Sequence, residues 1–337
     1  MATTDLAPRL IGGQPHGQQD GQHMEVGRLV LGTMTFGDQL DAEGSAAVVH
    51  RARELGVTMF DTANGYAQGR SEEILGRIVA PFRDEIQIAT KVGASVPGVN
   101  DTLPRIDRAS IERELEGSLR RLGVDHVDLY YLHMPDHLTP IEESLEALDG
   151  LVRAGKVRYV AMSNHSAWRM AEAVHTARSL GFSPPVVGQP LYNLLARRLE
   201  DEYAACSAHF GIADLVYNPL AGGLLTGKHR GAGAPDAGTR FGQRQMYRDR
   251  YWNDVQHAAV DRLAAVADAA GISLIALALR WLLMRDEVTG IILGVSSLAQ
   301  LEANVAAADG PELDGATLTA CDEVWDTLRG AAPPASR

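Results

Sequence analysis

Gly56-Val-Thr-Met-Phe60-Asp61-Thr-Ala-Asn-Gly65-Tyr66 is an apolar run that stops at a carboxylate and is followed five residues later by a phenol. The glycine ends a helical segment, Ser45 to Leu55, so the stretch reads as helix, short buried strand and polar loop, with Gly65 easing the turn. The same order repeats along the chain. Short apolar runs recur at Arg28–Leu31, Val57–Phe60, Ile86–Ala89, Val127–Leu132, Val157–Ala161, Val186–Gly188, Ile212–Val216 and Ile291–Leu293. Between them lie segments of helical character: Ser45–Leu55, one opening at Ser71 as N-cap, Ser110–Leu122, Pro140–Arg153, Ser166–Leu180, Leu199–Phe210, Val255–Ala270 and Leu298–Ala308, with Thr317–Leu328 closing the chain. Strands separated by helices imply right-handed crossovers and a parallel sheet. Eight such units without a Pro/Ser-rich linker predict a single-domain α/β fold, a (β/α)8 TIM barrel over residues 26–330, behind a tail or loop at 1–25. One long insert, His229 to Asn253, is rich in Gly and Arg, and loops of that length are usually functional or disordered.

Composition narrows the function. The 337 residues are 45% hydrophobic, enough for a large core, and carry a formal net charge of −12, which argues against a nucleic-acid or anionic-membrane binder. The two cysteines, Cys206 and Cys321, are far apart and form no C-x-x-C pair, so neither a disulfide framework nor a structural metal is expected. The first residues are rich in Gly, Gln and His, with no apolar core of a signal peptide, and no run approaches the length of a membrane span. The expected compartment is the reducing cytoplasm.

On a barrel, the residues that follow the strands share one face. Asp61, Lys91, His133, Asn164, Gln189, Tyr217 and Gly294 each follow an apolar run and so converge on the C-terminal mouth, where barrel active sites form. Each alone has an ordinary explanation; their common placement does not. Asp61, Tyr66, Lys91 and His133 suit proton transfer to a carbonyl oxygen. A phenol titrates near pH 10, and a neighbouring ammonium favours its anion. At about 4 Å and an effective dielectric of about 20, one such charge pair is worth about 4 kcal/mol. Lys91 is expected to lower the Tyr66 pKa, Asp61 to neutralise Lys91, and His133 either to orient the carbonyl or to share in the proton transfer.

The segments Asp61-Thr-Ala, Gly65-Tyr66, Ala89-Thr-Lys91-Val and Tyr131-Leu-His133-Met-Pro-Asp136 resemble the aldo-keto reductase superfamily. So do Gly155-Lys-Val-Arg-Tyr-Val, Ser163-Asn164, Gln189-Pro-Leu-Tyr-Asn193 and Tyr217-Asn218-Pro219-Leu220-Ala-Gly222-Gly-Leu224-Leu-Thr-Gly227-Lys228. The similarity runs from about Gly27 to Ala307. It implies a (β/α)8 barrel with a long loop over the cofactor, NADPH as cofactor, and Asp61, Tyr66, Lys91 and His133 as catalytic tetrad with Tyr66 the proton donor. It further implies that Ser163, Asn164 and Gln189 hold the nicotinamide carboxamide and that Tyr217 stacks on its ring. Gly32, Thr33 and Met34 at the first strand exit belong to the same implied cofactor site. Asn218, Pro219, Leu220, Gly222, Leu224, Gly227 and Lys228 are implied to pass along the pyrophosphate. Gly294, Ser296, Gln300 and Asn304 are implied at the adenosine end; Arg240 of the insert, and its neighbours Arg244, Arg248 and Arg250, are candidates to add charge there. Many relatives carry serine at Asn218, a basic residue at Ser296 and glutamate at Ala303, which leaves NADH open as cofactor. The chain has no G-x-G-x-x-G after a strand, so the Rossmann route to a dinucleotide is closed.

The leading expectation is an NADPH-dependent reductase of small aldehyde or ketone substrates that requires no metal. A Schiff-base lyase using Lys91 and a cofactor-binding regulatory subunit, as in the related potassium-channel beta subunits, are the alternatives. Substrate choice lies in the loops Phe36–Leu40, Ala94–Arg105, Met134–Thr139 and His229–Asn253, with Phe36, Trp168 and Trp252 as candidate lining residues. Nothing in the sequence fixes the oligomeric state.

Overall fold

The computed structural model describes residues 4–12, 23–94, 105–231 and 233–330. An antiparallel pair, β1 (Arg9–Gly12) and β2 (His23–Val26), precedes eight parallel strands. These are β3 (Leu29–Gly32), β4 (Met59–Asp61), β5 (Gln87–Val92), β6 (Val127–Leu132), β7 (Val157–Ser163), β8 (Val187–Gln189), β9 (Ala213–Tyr217) and β10 (Gly290–Gly294), and they close into a barrel in the order β10-β3-β4-β5-β6-β7-β8-β9. Every apolar run read from the sequence overlaps one of them, with strand starts within two residues of those read, and the (β/α)8 barrel is the fold.

Two cores follow from the two-residue strand period. Val30, Met59, Ala89, Leu129, Tyr131, Tyr159, Ala161, Val187, Leu215 and Ile292 fill the barrel. Residues one step along each strand, such as Phe60, Ile88, Tyr130 and Val216, pack outward against the helices. Gly32 shows how tight the interior is: a Cβ there would lie 2.9 Å from the Ile292 side chain. Helices end where the sequence indicated at Gly123 and Gly181, with φ of 67° and 70°.

Four features depart from the sequence reading. The expected tail contains β1 and β2, whose Ile11, Met24 and Val26 join the interior core; the segments are too short to show a period, and residues 13–22 lie outside the described ones. A helix at Leu274–Leu283 was missed because eight of its ten residues are buried, which erases the amphipathic signal. Ser71 is not an N-cap: the helix Arg70–Val79 starts from Gly69, and Ser71 is buried inside its first turn. The insert, read as an irregular segment, contains short helices at Arg240–Gln243 and Gln245–Tyr251, anchored by buried Phe241, Tyr247 and Tyr251. Among the described residues no single helix is long and apolar enough to cross a membrane.

Candidate active site

Strand parity assembles the mouth. Asp61 pairs with Gly32 across β3–β4 and with Ala89 across β4–β5, Lys91 pairs with Tyr131, and Ser163 pairs with Gln189. Lys91 stands two residues beyond Ala89 and Tyr217 two beyond Leu215, so both share the inward face of those core residues at the C-terminal ends of their strands.

Hydrogen bonds link these side chains into one circuit. Tyr217 donates its hydroxyl to Asn164 Oδ1 at 2.7 Å. Asn164 Nδ2 donates to the His133 carbonyl at 2.9 Å and to Ser163 Oγ at 3.0 Å. Ser163 Oγ donates to the Gln189 carbonyl at 3.0 Å, and Gln189 Nε2 donates to Asp61 Oδ2 at 2.8 Å. Lys91 Nζ donates to Asp61 Oδ1, to the Thr62 carbonyl at 2.7 Å and to the Tyr66 hydroxyl at 3.4 Å. Tyr66 and His133 meet edge to face, with ring centroids 6.1 Å apart. The structure therefore brings together Asp61, Tyr66, Lys91 and His133 as the sequence indicated. The turn that carries Tyr66 differs in detail: Gly65 has φ −85°, and the left-handed positions are Ala67 (48°) and Gln68 (59°).

The electrostatics correct one expectation. Burial raises the Tyr66 phenol, the Lys91 charge lowers it and Asp61 raises it again; the net direction is upward, not down. Burial pulls the Lys91 ammonium down, but Asp61 and Tyr66 more than offset this, and Lys91 is held above its usual value. Burial, then the Lys91 charge, depress His133 to about 3, and its Nδ1 is a buried atom without a partner among the described residues. At neutral pH the site therefore holds a protonated phenol, an ammonium and an uncharged imidazole.

The other residues implied for a dinucleotide lie at or after the ends of β3, β9 and β10 and in the insert. Thr33 donates its amide to the Asp61 carbonyl at 2.9 Å, beside buried Gly32 and half-buried Met34. Asn218, at φ 62°, accepts the Gly222 amide on Oδ1 at 2.6 Å, which folds the Pro219–Lys228 segment into a tight turn. Within it Gly222 and Gly223 have φ of 69° and 107°, and a Cβ on Gly223 would meet Lys228 Cε at 3.6 Å. Bare backbone beneath a lysine is chemically suited to an anion. Pro219 and Leu224 are buried, so Leu224 offers only its backbone there, while Leu220 and Gly227 are half-buried. Ser296 donates both its amide and its hydroxyl to Gln300 Oε1, at 2.9 and 3.1 Å, next to exposed Gly294, and Asn304 is buried on the same helix. Arg240 stacks on the Tyr247 ring at 5.2 Å. These features fit a phosphate-bearing ligand along the insert.

One residue escaped the sequence reading, and two arginines of the insert take roles other than the expected one. Tyr251 is buried, and its hydroxyl accepts Asn193 Nδ2 at 3.0 Å and Asn218 Nδ2 at 2.9 Å. Burial raises the Tyr217 phenol and the nearby Arg250 charge opposes it. Arg244 clasps Asp38 at 2.6 Å, joining the insert to the loop after β3. Two tyrosines bracketing the charged Arg-Asp-Arg stretch in Tyr247–Tyr251 were the available signal. Of the candidate lining residues, Phe36 is fully buried and Trp252 packs on His229, Phe241 and His257, so both are packing residues; Trp168 is 56% exposed. Residues 95–104 of the second candidate loop lie outside the described ones.

The sequence as a whole is similar to those of known proteins. A model of the Aldo/keto reductase family matches residues 28–326. Aldo-keto reductase family 7 member A3 of Homo sapiens is 39% identical over 321 residues, 90% of this chain and 95% of the relative. Aflatoxin B1 aldehyde reductase member 2 of Homo sapiens is 38% identical over the same share of this chain and 88% of its own length. A probable voltage-gated potassium channel subunit beta of Arabidopsis thaliana is 35% identical, over 85% of this chain and 88% of the relative. From its barrel and this extent of similarity, the chain belongs to the aldo/keto reductase family and is of its oxidoreductase type.

Proposed function

We propose that the protein is an NADPH-dependent reductase of aldehyde or ketone carbonyls, with Tyr66 as general acid. The observation that carries this reading is the Asp61–Lys91–Tyr66 chain, with Lys91 Nζ 3.4 Å from a half-buried phenol. A bound reduced nicotinamide would supply hydride to the carbonyl carbon. Tyr66 keeps its proton at neutral pH and gives it up as charge develops on the substrate oxygen; Lys91 then stabilises the phenolate, and Asp61 keeps Lys91 charged. Neutral His133 offers one N–H to orient the carbonyl oxygen. Tyr217, Asn164, Ser163 and Gln189 would hold the nicotinamide face, and the Asn218–Lys228 turn the pyrophosphate. Ser296 brings no charge to the adenosine end, so Arg240 is the cation proposed for the 2′-phosphate. The relatives named aldehyde reductases favour aldehydes as substrate.

The test is oxidation of NADPH and of NADH with a panel of small aldehydes and ketones, using wild type and Arg240→Ala. Turnover with aldehydes that favours NADPH, and a preference narrowed in Arg240→Ala, supports the reading. Tight cofactor retention with negligible turnover on every carbonyl would favour a cofactor-binding regulatory subunit, the role suggested by the channel-subunit relative.

A further inference from the structure

The helix Arg70–Val79 follows directly on the Tyr66 loop, and its first turn is fastened to three strand ends. Ser71 Oγ donates to the Thr33 carbonyl at 2.8 Å and lies 2.9 Å from Thr33 Oγ1 and 3.1 Å from Thr62 Oγ1. Glu72, with no exposed side-chain surface, accepts Thr90 Oγ1 at 2.6 Å on one oxygen and Arg121 Nε at 2.6 Å on the other. Thr90 precedes Lys91 and faces outward as Lys91 faces inward. Arg121, from the helix Arg108–Leu122, crosses the end of the Tyr66 loop: a Cβ on Gly69 would lie 2.7 Å from its Cδ.

We propose that Glu72 and Arg121 are positioning residues that fix the Tyr66 hydroxyl against Lys91. Lys91 is held on its strand by Asp61 and the Thr62 carbonyl. The Tyr66 hydroxyl has one hydrogen-bond partner among the described residues, Lys91, at a long 3.4 Å. Its loop passes through Ala67 and Gln68 in the left-handed region, a conformation that persists only where surrounding contacts enforce it. Arg121 over Gly69 supplies such a contact from outside the barrel, and Glu72 ties the same guanidinium to the strand that carries Lys91. Displacement of Arg121 therefore changes the Tyr66–Lys91 geometry without touching the side chains of the strand exits directly.

The proposal rests on Tyr66 being the proton donor, and the experiment separates the two. Arg121→Ala leaves Glu72 charged and buried and is liable to unfold. Gly117→Ala avoids this: alanine favours the helix, and its Cβ falls 3.0 Å from Arg121 Nη1, so the guanidinium must give by a few tenths of an ångström. Turnover, carbonyl KM, NADPH Kd and Tm are measured for wild type, Gly117→Ala and Tyr66→Phe. The expected result is an inactive Tyr66→Phe, and a Gly117→Ala whose kcat falls about tenfold while KM and Kd stay within about twofold and Tm does not drop. A Gly117→Ala kcat close to wild type, beside an inactive Tyr66→Phe, overturns the positioning role alone. A Tyr66→Phe protein that turns over like wild type removes the reading beneath it.

Discussion

Lys91 is an ammonium with no exposed side-chain surface, tolerable because Asp61 faces it and the Thr62 carbonyl and Tyr66 hydroxyl accept its other hydrogen bonds. Lys91→Met should abolish most turnover, by about a hundredfold or more, and also cost about 3–5 kcal/mol because Asp61 is left buried and unpaired. Adding Asp61→Asn should recover much of the stability and none of the activity; urea midpoints and turnover of the two variants check this. His133 gives a second test at this scale. Its folded-state pKa is about 3, against 6.5 for the free side chain. As pH falls below 6.5 the unfolded chain binds a proton that the folded site refuses, so His133 lowers stability progressively from pH 6.5 to about 3. Its ring resonances should show no titration between pH 5 and 8; a midpoint near 6.5 would show that the imidazole is solvated. The identities of these residues were legible in sequence because a strand exit is visible as the end of an apolar run. The direction of the Tyr66 shift was not, since it depends on burial, which no spacing reveals.

Elements divided by how much of their surface is buried. The Arg108–Leu122 helix keeps an exposed face and shows its period, whereas Leu274–Leu283 is apolar on nearly every side and looks like a run without phase. The insert misled for the opposite reason: its arginines dominate the sequence, but Phe241, Tyr247 and Tyr251 fix it from beneath. Tyr251 is the pivot, since its hydroxyl takes amide donors from Asn193 and from Asn218. Tyr251→Phe should therefore cost about 1–3 kcal/mol and loosen the insert, because the Asn218 amide loses this acceptor. Faster limited proteolysis within the insert, along with a lower urea midpoint, is the expected observation; unchanged cleavage would mean that the aromatic packing alone holds it.

At the scale of the whole molecule, the barrel itself was the most legible feature, because eight repeats of one grammar admit few topologies. The antiparallel β1–β2 pair was not, because four-residue strands carry too little pattern to separate from a tail. One buried group outside the mouth ties overall stability to pH. Asp214 on β9 faces outward; Tyr203 donates to its Oδ1 at 3.1 Å, and its Oδ2 has no partner among the described residues. Burial pushes it up to about 7 from 3.8. Between these values the unfolded chain releases a proton that the folded chain retains, so Asp214 costs stability progressively as pH rises from about 4 to about 7. Asp214→Asn should stabilise the protein by about 1–3 kcal/mol more at pH 8 than at pH 4, read from urea unfolding at both; an equal effect would indicate that the carboxyl is ionised throughout. The central claim concerns how the barrel brings a phenol from the loop after β4 and an ammonium from β5 to one carbonyl. Its most direct test is single-turnover oxidation of bound NADPH by an aldehyde in wild type and Tyr66→Phe, with the NADPH Kd of each determined separately. The account predicts an unchanged Kd and a hydride-transfer rate lower by about a hundredfold or more in Tyr66→Phe; an equal rate in both proteins would contradict it.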